Sequence, residues 1–236
     1  MTDGLKDAWK QQVDIGHHHI TNSAAYDLVV EEVLRLARPG PADRCLDLGA
    51  GTGLLTLPLA EIATLVLAID DAPATSEDLA GRARTQGLAN VETRASDLAR
   101  LRLPRGSFDV VVSSYTLHHL AHHEKRELVT RACTWLAPSG RLVVADRMFG
   151  RTIGATDRQI LKAKVKGLAA HGPGVLWRIV KNIFRLALGI SDEHPATPEF
   201  WKAALEDAGF ADVGHLQVVQ EAGVVWGRVP YPVHAN

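Results

Sequence analysis

The chain has 236 residues, of which 46% are hydrophobic and 22% charged, and its formal net charge is −1. This length suits one α/β domain with a full core, and the composition is that of an ordinary soluble globular protein. The sequence shows no apolar run long enough to cross a membrane, and residues 1–12 mix charges in a way that argues against a secretory signal. Two cysteines inside apolar runs, Cys45 and Cys133, fit reduced core thiols, so we predict a cytoplasmic protein.

Strand patterns alternate with helix patterns from residue 23 onward, which is typical of βαβ units and a parallel sheet. Glycine and proline mark most of the boundaries between them. In chain order, the patterns predict a helix at 23–37, a strand at 44–48, a helix at 54–63, a strand at 65–69, a helix at 73–86, strands at 91–95 and 108–113, a helix at 122–136 and a strand at 141–145.

The alternation lapses after residue 145. Two consecutive helices are predicted at 156–170 and 175–188, where one crossover helix would be expected, and this suggests an inserted cap. The last two predicted strands are close enough in sequence to form a hairpin. The final segments are, in order, a helix at 198–208 and strands at 213–221 and 223–229.

A glycine-rich turn, running from Asp47 to Gly53 with the sequence DLGAGTG, directly follows the first predicted strand and opens a helix. Glycine lets a backbone turn tightly and approach a ligand closely. Such a turn alone is a weak indication of a binding site. Asp47 strengthens this indication, because a dinucleotide-binding turn needs no acid at that position. Asp70 strengthens it further, because a carboxylate at the end of the next strand can accept hydrogen bonds from both hydroxyls of a ribose.

The block from Cys45 to Arg147 resembles the core of the class I (Rossmann-like) S-adenosylmethionine-dependent methyltransferases, in particular their small-molecule branch. A fainter similarity covers the segment from Phe200 to Val213. The resemblance implies a doubly wound, seven-stranded, mostly parallel sheet whose last strand is antiparallel, with S-adenosylmethionine as cofactor and S-adenosylhomocysteine as product. It rests on ordered motifs, namely Asp47 with the glycine turn, Asp70, Asp97-Leu98, Leu103-Pro104, Ser107-Phe108-Asp109-Val110-Val111 and Leu117-His118-His119-Leu120.

The resemblance also implies roles for individual residues. The positions matching Asp47 and the glycine turn hold the methionine end of the cofactor, Asp70 holds the ribose, and Asp97 with the Leu98 backbone receives the adenine. One departure is Asp71, which leaves two candidate ribose partners at the strand end. Carboxylates suit a sulfonium cation with an ammonium and a diol, whereas phosphates would favour lysine or arginine. The predicted cofactor-binding residues are Asp47, Gly49, Ala50, Gly51, Gly53, Asp70, Asp71, Asp97, Leu98, Ser113 and Tyr26.

Methyl transfer is a displacement at an activated carbon, so most of the acceleration can come from holding the reactants in line. A general base is needed only when the acceptor is protonated, and His118, His119 and Tyr115 are the candidates; the two histidines can equally be residues that merely line the pocket.

Four further residues are candidates for contact with the substrate. Asp146 and Arg147 end the fifth strand, with a surface ion pair as the alternative interpretation. His18 and His19 precede Tyr26 in an N-terminal segment that could cover the cofactor. No recognised zinc spacing is present among the histidines, so no metal is predicted.

A basic stretch runs from Arg147 to Arg185, with nine basic residues and one acid, so it carries +8 and the rest of the chain −9. A lid with its apolar face on the substrate and its charges in water is the favoured interpretation. An anionic substrate, an acidic carrier protein or a membrane surface remain open as partners. Nucleic acid is disfavoured, because the chain has a pI near 6.8 and no appended RNA-binding module.

The sequence therefore predicts methyl transfer from S-adenosylmethionine to an O, N, C or S atom of a small, partly apolar metabolite; the oligomeric state stays open. The rival hypotheses are an S-adenosylmethionine-binding protein that does not transfer methyl and an NAD(P)-dependent oxidoreductase. The chain divides into an N-terminal flap and helix (1–40), a cofactor-binding core (41–147), a helical cap (148–195) and a C-terminal helix and strand pair that complete the sheet (196–236).

Overall fold

The computed structural model describes residues 23–148, 193–219 and 222–231. The predicted cap helices at 156–170 and 175–188, together with His18 and His19, lie outside the described residues. The described elements are α1 (Ser23–Ala37), β1 (Arg44–Leu48), α2 (Thr56–Ala60), β2 (Leu65–Asp70), α3 (Pro73–Thr85), β3 (Val91–Ala95), β4 (Phe108–Ser114), a 3₁₀ turn (Leu117–His119), α4 (His122–Trp135), β5 (Leu136–Arg147), α5 (Pro198–Asp207), β6 (Ala211–Val219) and β7 (Ala222–Arg228).

The strands form one seven-stranded sheet in the order β3-β2-β1-β4-β5-β7-β6. Strands β1 to β5 pair in parallel, and β7 runs antiparallel to both β5 and β6. This confirms the doubly wound α/β sheet with an antiparallel last strand. The chain order reverses between β1 and β4, and ligands of such sheets bind at this switch point, beyond the carboxyl ends of the strands.

Both faces of the central strands are buried, which explains why β1 and β4 are nearly continuous apolar runs. Successive side chains of a strand point to opposite faces. On β4, Val111 packs into the cluster that contains Trp135 and Trp201, on the side of α4 and α5. Val110 and Val112 pack into the other cluster, on the side of α1 and α2. The sheet therefore carries a helical layer on each face.

The element after the glycine turn is shorter than predicted, spanning Thr56–Ala60 instead of 54–63. Pro58 lies inside it and has no N–H to donate to the carbonyl of Leu54, so the regular bonding starts late. Strand β5 is longer than predicted and begins at Leu136. Among the described helices, none combines the length and apolarity needed to cross a bilayer.

Candidate cofactor and substrate site

A cavity of about 410 Å³ opens beyond the carboxyl ends of β1, β2 and β4. Its position is the switch point of the sheet, and its size suits a small-molecule ligand. The residues that line it are Tyr26, Asp47, Gly49, Ala50, Gly51, Thr52, Leu54, Leu55, Asp70, Asp71, Asp97, Leu98, Ser114, Tyr115, Thr116, His119 and Leu120.

The glycine turn is folded tightly against the loop that follows β4. Gly49 has a φ of +75°, and a Cβ added to it would lie 2.1 Å from a side-chain carbon of Thr116. The Thr116 hydroxyl donates a hydrogen bond of 3.0 Å to the Gly49 carbonyl. Gly51 has a φ of +50°, and no atom would lie within 4 Å of its added Cβ. Gly49 is thus required for packing, while Gly51 leaves open space at the cavity.

Asp70 has a fixed orientation at the end of β2. Its two carboxylate oxygens accept hydrogen bonds from the backbone N–H groups of Gly51, at 2.9 Å, and Ala72, at 3.1 Å. These bonds tie the glycine turn to β2 and hold the carboxylate at the cavity wall. Asp71 also lines the cavity but is exposed. The geometry therefore favours Asp70 over Asp71 as the carboxylate prepared to bind a ligand.

Asp47 reaches the cavity from β1 although only 1% of it is exposed. Its carboxylate accepts a hydrogen bond of 2.6 Å from the Thr56 hydroxyl. Burial raises the pKa of Asp47 to about 7, and hydrogen bonds from Thr56 oppose that rise. A ligand cation beside it would favour the ionised form.

The adenine-side candidates lie on the loop after β3. Asp97 is exposed and accepts a hydrogen bond of 2.8 Å from the Ala99 N–H, while Leu98 is buried in the cavity wall. Arg131 of α4 stabilises this loop, because its guanidinium donates hydrogen bonds to the carbonyl oxygens of Leu98, Ala99 and Leu101. Arg131 was not anticipated, because nothing in the sequence connects a helix arginine with that loop.

The two histidines of the His-His-Leu segment have different surroundings. His119 lines the cavity, whereas His118 is 5% exposed and lies outside the lining. His118 Nδ1 is 2.7 Å from Asp146 Oδ1, and Asp146 also accepts the Arg147 N–H at 2.7 Å. The surface ion-pair interpretation is wrong for Asp146, because that carboxylate is buried with His118. Arg147 pairs instead with Glu193 at 2.6 Å.

His119 packs against His118 with 4.2 Å between ring centroids. The pKa of His119 is lowered, first by burial and then by the neighbouring His118, while Glu193 and Asp146 act in the opposite direction. Its imidazole is therefore neutral at neutral pH and has a lone pair available to take a proton. Tyr115 lines the cavity near His119 and contacts Tyr26, with 5.4 Å between their ring centroids.

Two predicted cofactor residues have other roles in the described structure. Ser113 is fully buried, and its hydroxyl donates a hydrogen bond of 2.7 Å to the Leu48 carbonyl, which connects β4 to β1. The neighbouring Ser114 lines the cavity instead. Gly53 lets α3 approach, because a Cβ there would lie 2.4 Å from Leu79. Lining residues that were not among the predicted site residues are Thr52, Leu54, Leu55, Ser114, Thr116 and Leu120.

Comparison with known proteins finds similarity to methyltransferases. A family model for a methyltransferase domain matches residues 45–140. An uncharacterized methyltransferase of Anoxybacillus flavithermus is 35% identical over 122 residues, which cover 52% of this chain and 55% of that protein. These matches support a class I S-adenosylmethionine-dependent methyltransferase. The uncharacterized methyltransferase YrrT of Bacillus subtilis matches the chain over more of its length, at 27% identity over 205 residues, or 85% of this chain and 81% of that protein.

Solved structures share the methyltransferase fold. The [4+2]-cyclase SpnF superposes with a TM-score of 0.66 at 17% identity, covering 92% of this chain and 87% of that one. A methyltransferase from Aquifex aeolicus, described as SAM-dependent, gives a TM-score of 0.61 at 20% identity, covering 88% and 94%. The match spans little more than half the length of the Anoxybacillus relative.

The similarity to S-adenosylmethionine-dependent methyltransferases implies S-adenosylmethionine as cofactor and S-adenosylhomocysteine as its product. The cavity suits this group, because four carboxylates line it, those of Asp47, Asp70, Asp71 and Asp97. Neither lysine nor arginine is among the described residues that line it, so the charged side chains match an ammonium and a diol better than phosphates. In the described part of the chain, no three His, Cys, Asp or Glu side chains group as a possible metal site.

Proposed function

We propose that this methyltransferase transfers the methyl group of S-adenosylmethionine to an O, N, C or S atom of a small, partly apolar molecule. The observation that carries the proposal is the acid-lined cavity at the switch point of the sheet, with Asp70 already oriented by two backbone N–H groups. Bound there, the cofactor supplies an activated methyl group on a sulfonium sulfur. The protein supplies proximity and orientation.

Three carboxylates divide the binding in this proposal. Asp70 accepts hydrogen bonds from the ribose hydroxyls, Asp47 faces the ammonium of the methionine end, and Asp97 with the Leu98 backbone receives the adenine. Gly49, Ala50 and Gly51 form the turn along which the cofactor passes. The open space at Gly51 supports this arrangement, because a side chain there would occupy the cavity.

His119 is the proposed proton acceptor for a protonated methyl acceptor. It lines the cavity and its lowered pKa keeps it neutral. His118 acts behind it, since the bond to Asp146 fixes the hydrogen on Nδ1 and holds the ring against His119. Tyr115, at the same wall, is the second candidate for a hydrogen bond to the acceptor.

The apolar part of the lining supports a partly apolar acceptor. Leu54, Leu55, Leu98 and Leu120 contribute aliphatic side chains, and the two tyrosines contribute rings. Asp146 and Arg147 were predicted to contact the substrate. Because Asp146 is hydrogen-bonded to His118 and Arg147 to Glu193, we assign both residues to fixing the part of the cavity wall that contains His119.

A label-transfer experiment tests the proposal. The protein is incubated with methyl-labelled S-adenosylmethionine and a low-molecular-weight cell extract, with Asp70→Ala as the control. Label in a small molecule, with an equal amount of S-adenosylhomocysteine, is expected for the wild type and strongly reduced for the variant. Cofactor binding with no label transfer and no S-adenosylhomocysteine would contradict methyl transfer. It would favour the second candidate, a non-methylating catalyst, for which the shared fold with a cyclase is a precedent.

A further inference from the structure

Lys125 of α4 has no exposed surface although its side chain is cationic. Its ammonium group donates to two backbone carbonyls, that of Leu120 and, at 2.6 Å, that of His194. Lysine is rarely buried completely, because removing an ammonium from water is costly. An apolar side chain of similar length would fill the space without that cost. Packing alone therefore does not account for a buried ammonium at this position.

One of the two carbonyls belongs to a residue of the cavity wall, and the other belongs to a segment that is hydrogen-bonded to the turn beside that wall. Leu120 lines the cavity and directly follows His119, at the end of the 3₁₀ turn. The His194 N–H donates to the His118 carbonyl at 2.6 Å. His194 is thus held on both sides, by the turn through its N–H and by Lys125 through its carbonyl. Lys125 closes this connection between residues 118–120 and residues 193–194.

The charges around Lys125 keep its ammonium ionised at neutral pH. Burial lowers the pKa of Lys125 to about 8, while Asp146 of β5 and Glu124 of α4 oppose that shift. The titratable side chains of the two segments that Lys125 joins, residues 118–120 and 193–194, are His118, His119, Glu193 and His194. A protonated lysine has three N–H donors and serves both carbonyls; above pH 8 the neutral amine binds them more weakly.

We propose that Lys125 is a positioning residue of the methyltransferase site, whose buried ammonium bridges the Leu120 and His194 carbonyls and thereby fixes the turn that presents His119 and Leu120 to the cavity. This inference rests on the proposed function for its meaning, but its structural content concerns the ligand-free protein. Lys125 touches neither cofactor nor substrate in this account.

The first test is affinity for S-adenosylhomocysteine in Lys125→Met, measured by calorimetry well below the melting temperature of each variant. Lys202→Met, which removes an exposed lysine of α5, is the matched control. Loss of one charged hydrogen-bonding group predicts a Kd raised about fivefold or more for Lys125→Met and unchanged for the control. A Kd within a factor of about two of wild type, whatever happens to the melting temperature, would overturn the positioning role.

The second test uses the ligand-free protein. The NMR signals of the histidine imidazoles are followed from pH 6.5 to 9.5, a range that extends about 1.5 units on either side of the Lys125 pKa. The His119 signal is assigned as the one that disappears in His119→Gln. The His119 signal should move with a midpoint near pH 8 in wild type and Lys202→Met, but not in Lys125→Met. No such movement in wild type would refute the inference even if Lys125→Met does not fold. A wild type that fails to bind S-adenosylhomocysteine would contradict the proposed function, and the NMR comparison would still decide the role of Lys125.

Discussion

Substitution of Gly49 by alanine should destabilise the protein by a predictable amount. The φ of +75° costs alanine about 1–2 kcal/mol. The added Cβ would lie 2.1 Å from Thr116, so that side chain must move and lose its bond to the Gly49 carbonyl, for about 2 kcal/mol more. The expected total is about 3–4 kcal/mol, or a melting temperature lower by about 6–16 °C in a chain of this size.

Two other glycines provide matched controls. Gly87 has nearly the same φ, +74°, with nothing within 4 Å of an added Cβ, and it lies outside the cavity lining. Gly87→Ala should therefore cost only the backbone part, about 1–2 kcal/mol, and leave ligand affinity unchanged. Gly51→Ala should cost a similar amount of stability but weaken binding, because its Cβ enters the cavity wall.

Thermal denaturation and calorimetry with S-adenosylhomocysteine separate the three variants. Gly49→Ala is expected to melt well below Gly87→Ala, and Gly51→Ala is expected to bind S-adenosylhomocysteine far more weakly than Gly87→Ala at similar stability. Equal melting temperatures for Gly49→Ala and Gly87→Ala would refute the packing argument. Equal affinities for Gly51→Ala and Gly87→Ala would refute the placement of the ligand along the turn.

Three further outcomes follow from the carboxylates. Asp70→Ala should raise the Kd for S-adenosylhomocysteine about 10- to 100-fold in calorimetry, and Asp71→Ala only slightly; the reverse order would assign the ribose to Asp71. The pKa of Asp47 rises from 3.8 to about 7 on folding, so its protonation stabilises the ligand-free protein at low pH and this contribution is lost as pH rises through 7. Melting curves should show a lower melting temperature at pH 8 than at pH 5 for the wild type, and a smaller difference for Asp47→Asn. An equal difference in both proteins would contradict the raised pKa of Asp47. Asp146→Asn should lower the free energy of unfolding in urea by about 2 kcal/mol, because it removes the charged partner of buried His118; unchanged stability would argue against that pairing.

Most of the sheet could be predicted from the sequence, because its buried strands are short apolar runs separated by glycine and proline. β1 at Arg44–Leu48, β3 at Val91–Ala95 and α1 at Ser23–Ala37 have the predicted bounds. The shorter α2 follows from Pro58, whose effect inside an otherwise helical pattern was not weighed.

The direction of individual side chains could not be predicted. His118 and His119 are adjacent in a 3₁₀ turn, where neighbouring side chains point about 120° apart, so one faces the cavity and the other faces Asp146. The choice between Ser113 and Ser114 likewise depends on strand alternation at the end of β4. From sequence alone, Lys125 would be placed on the solvent-exposed face of its helix. Its burial is explained only by the hydrogen bond that its ammonium donates to the His194 carbonyl.

The most direct test of the account is calorimetric titration of the wild-type protein with S-adenosylhomocysteine and, separately, with NADPH. An acid-lined cavity without lysine or arginine among its described lining residues predicts micromolar binding of S-adenosylhomocysteine and no detectable binding of the phosphate-rich NADPH. Binding of NADPH, or of neither compound, would contradict the assignment of this cavity to S-adenosylmethionine.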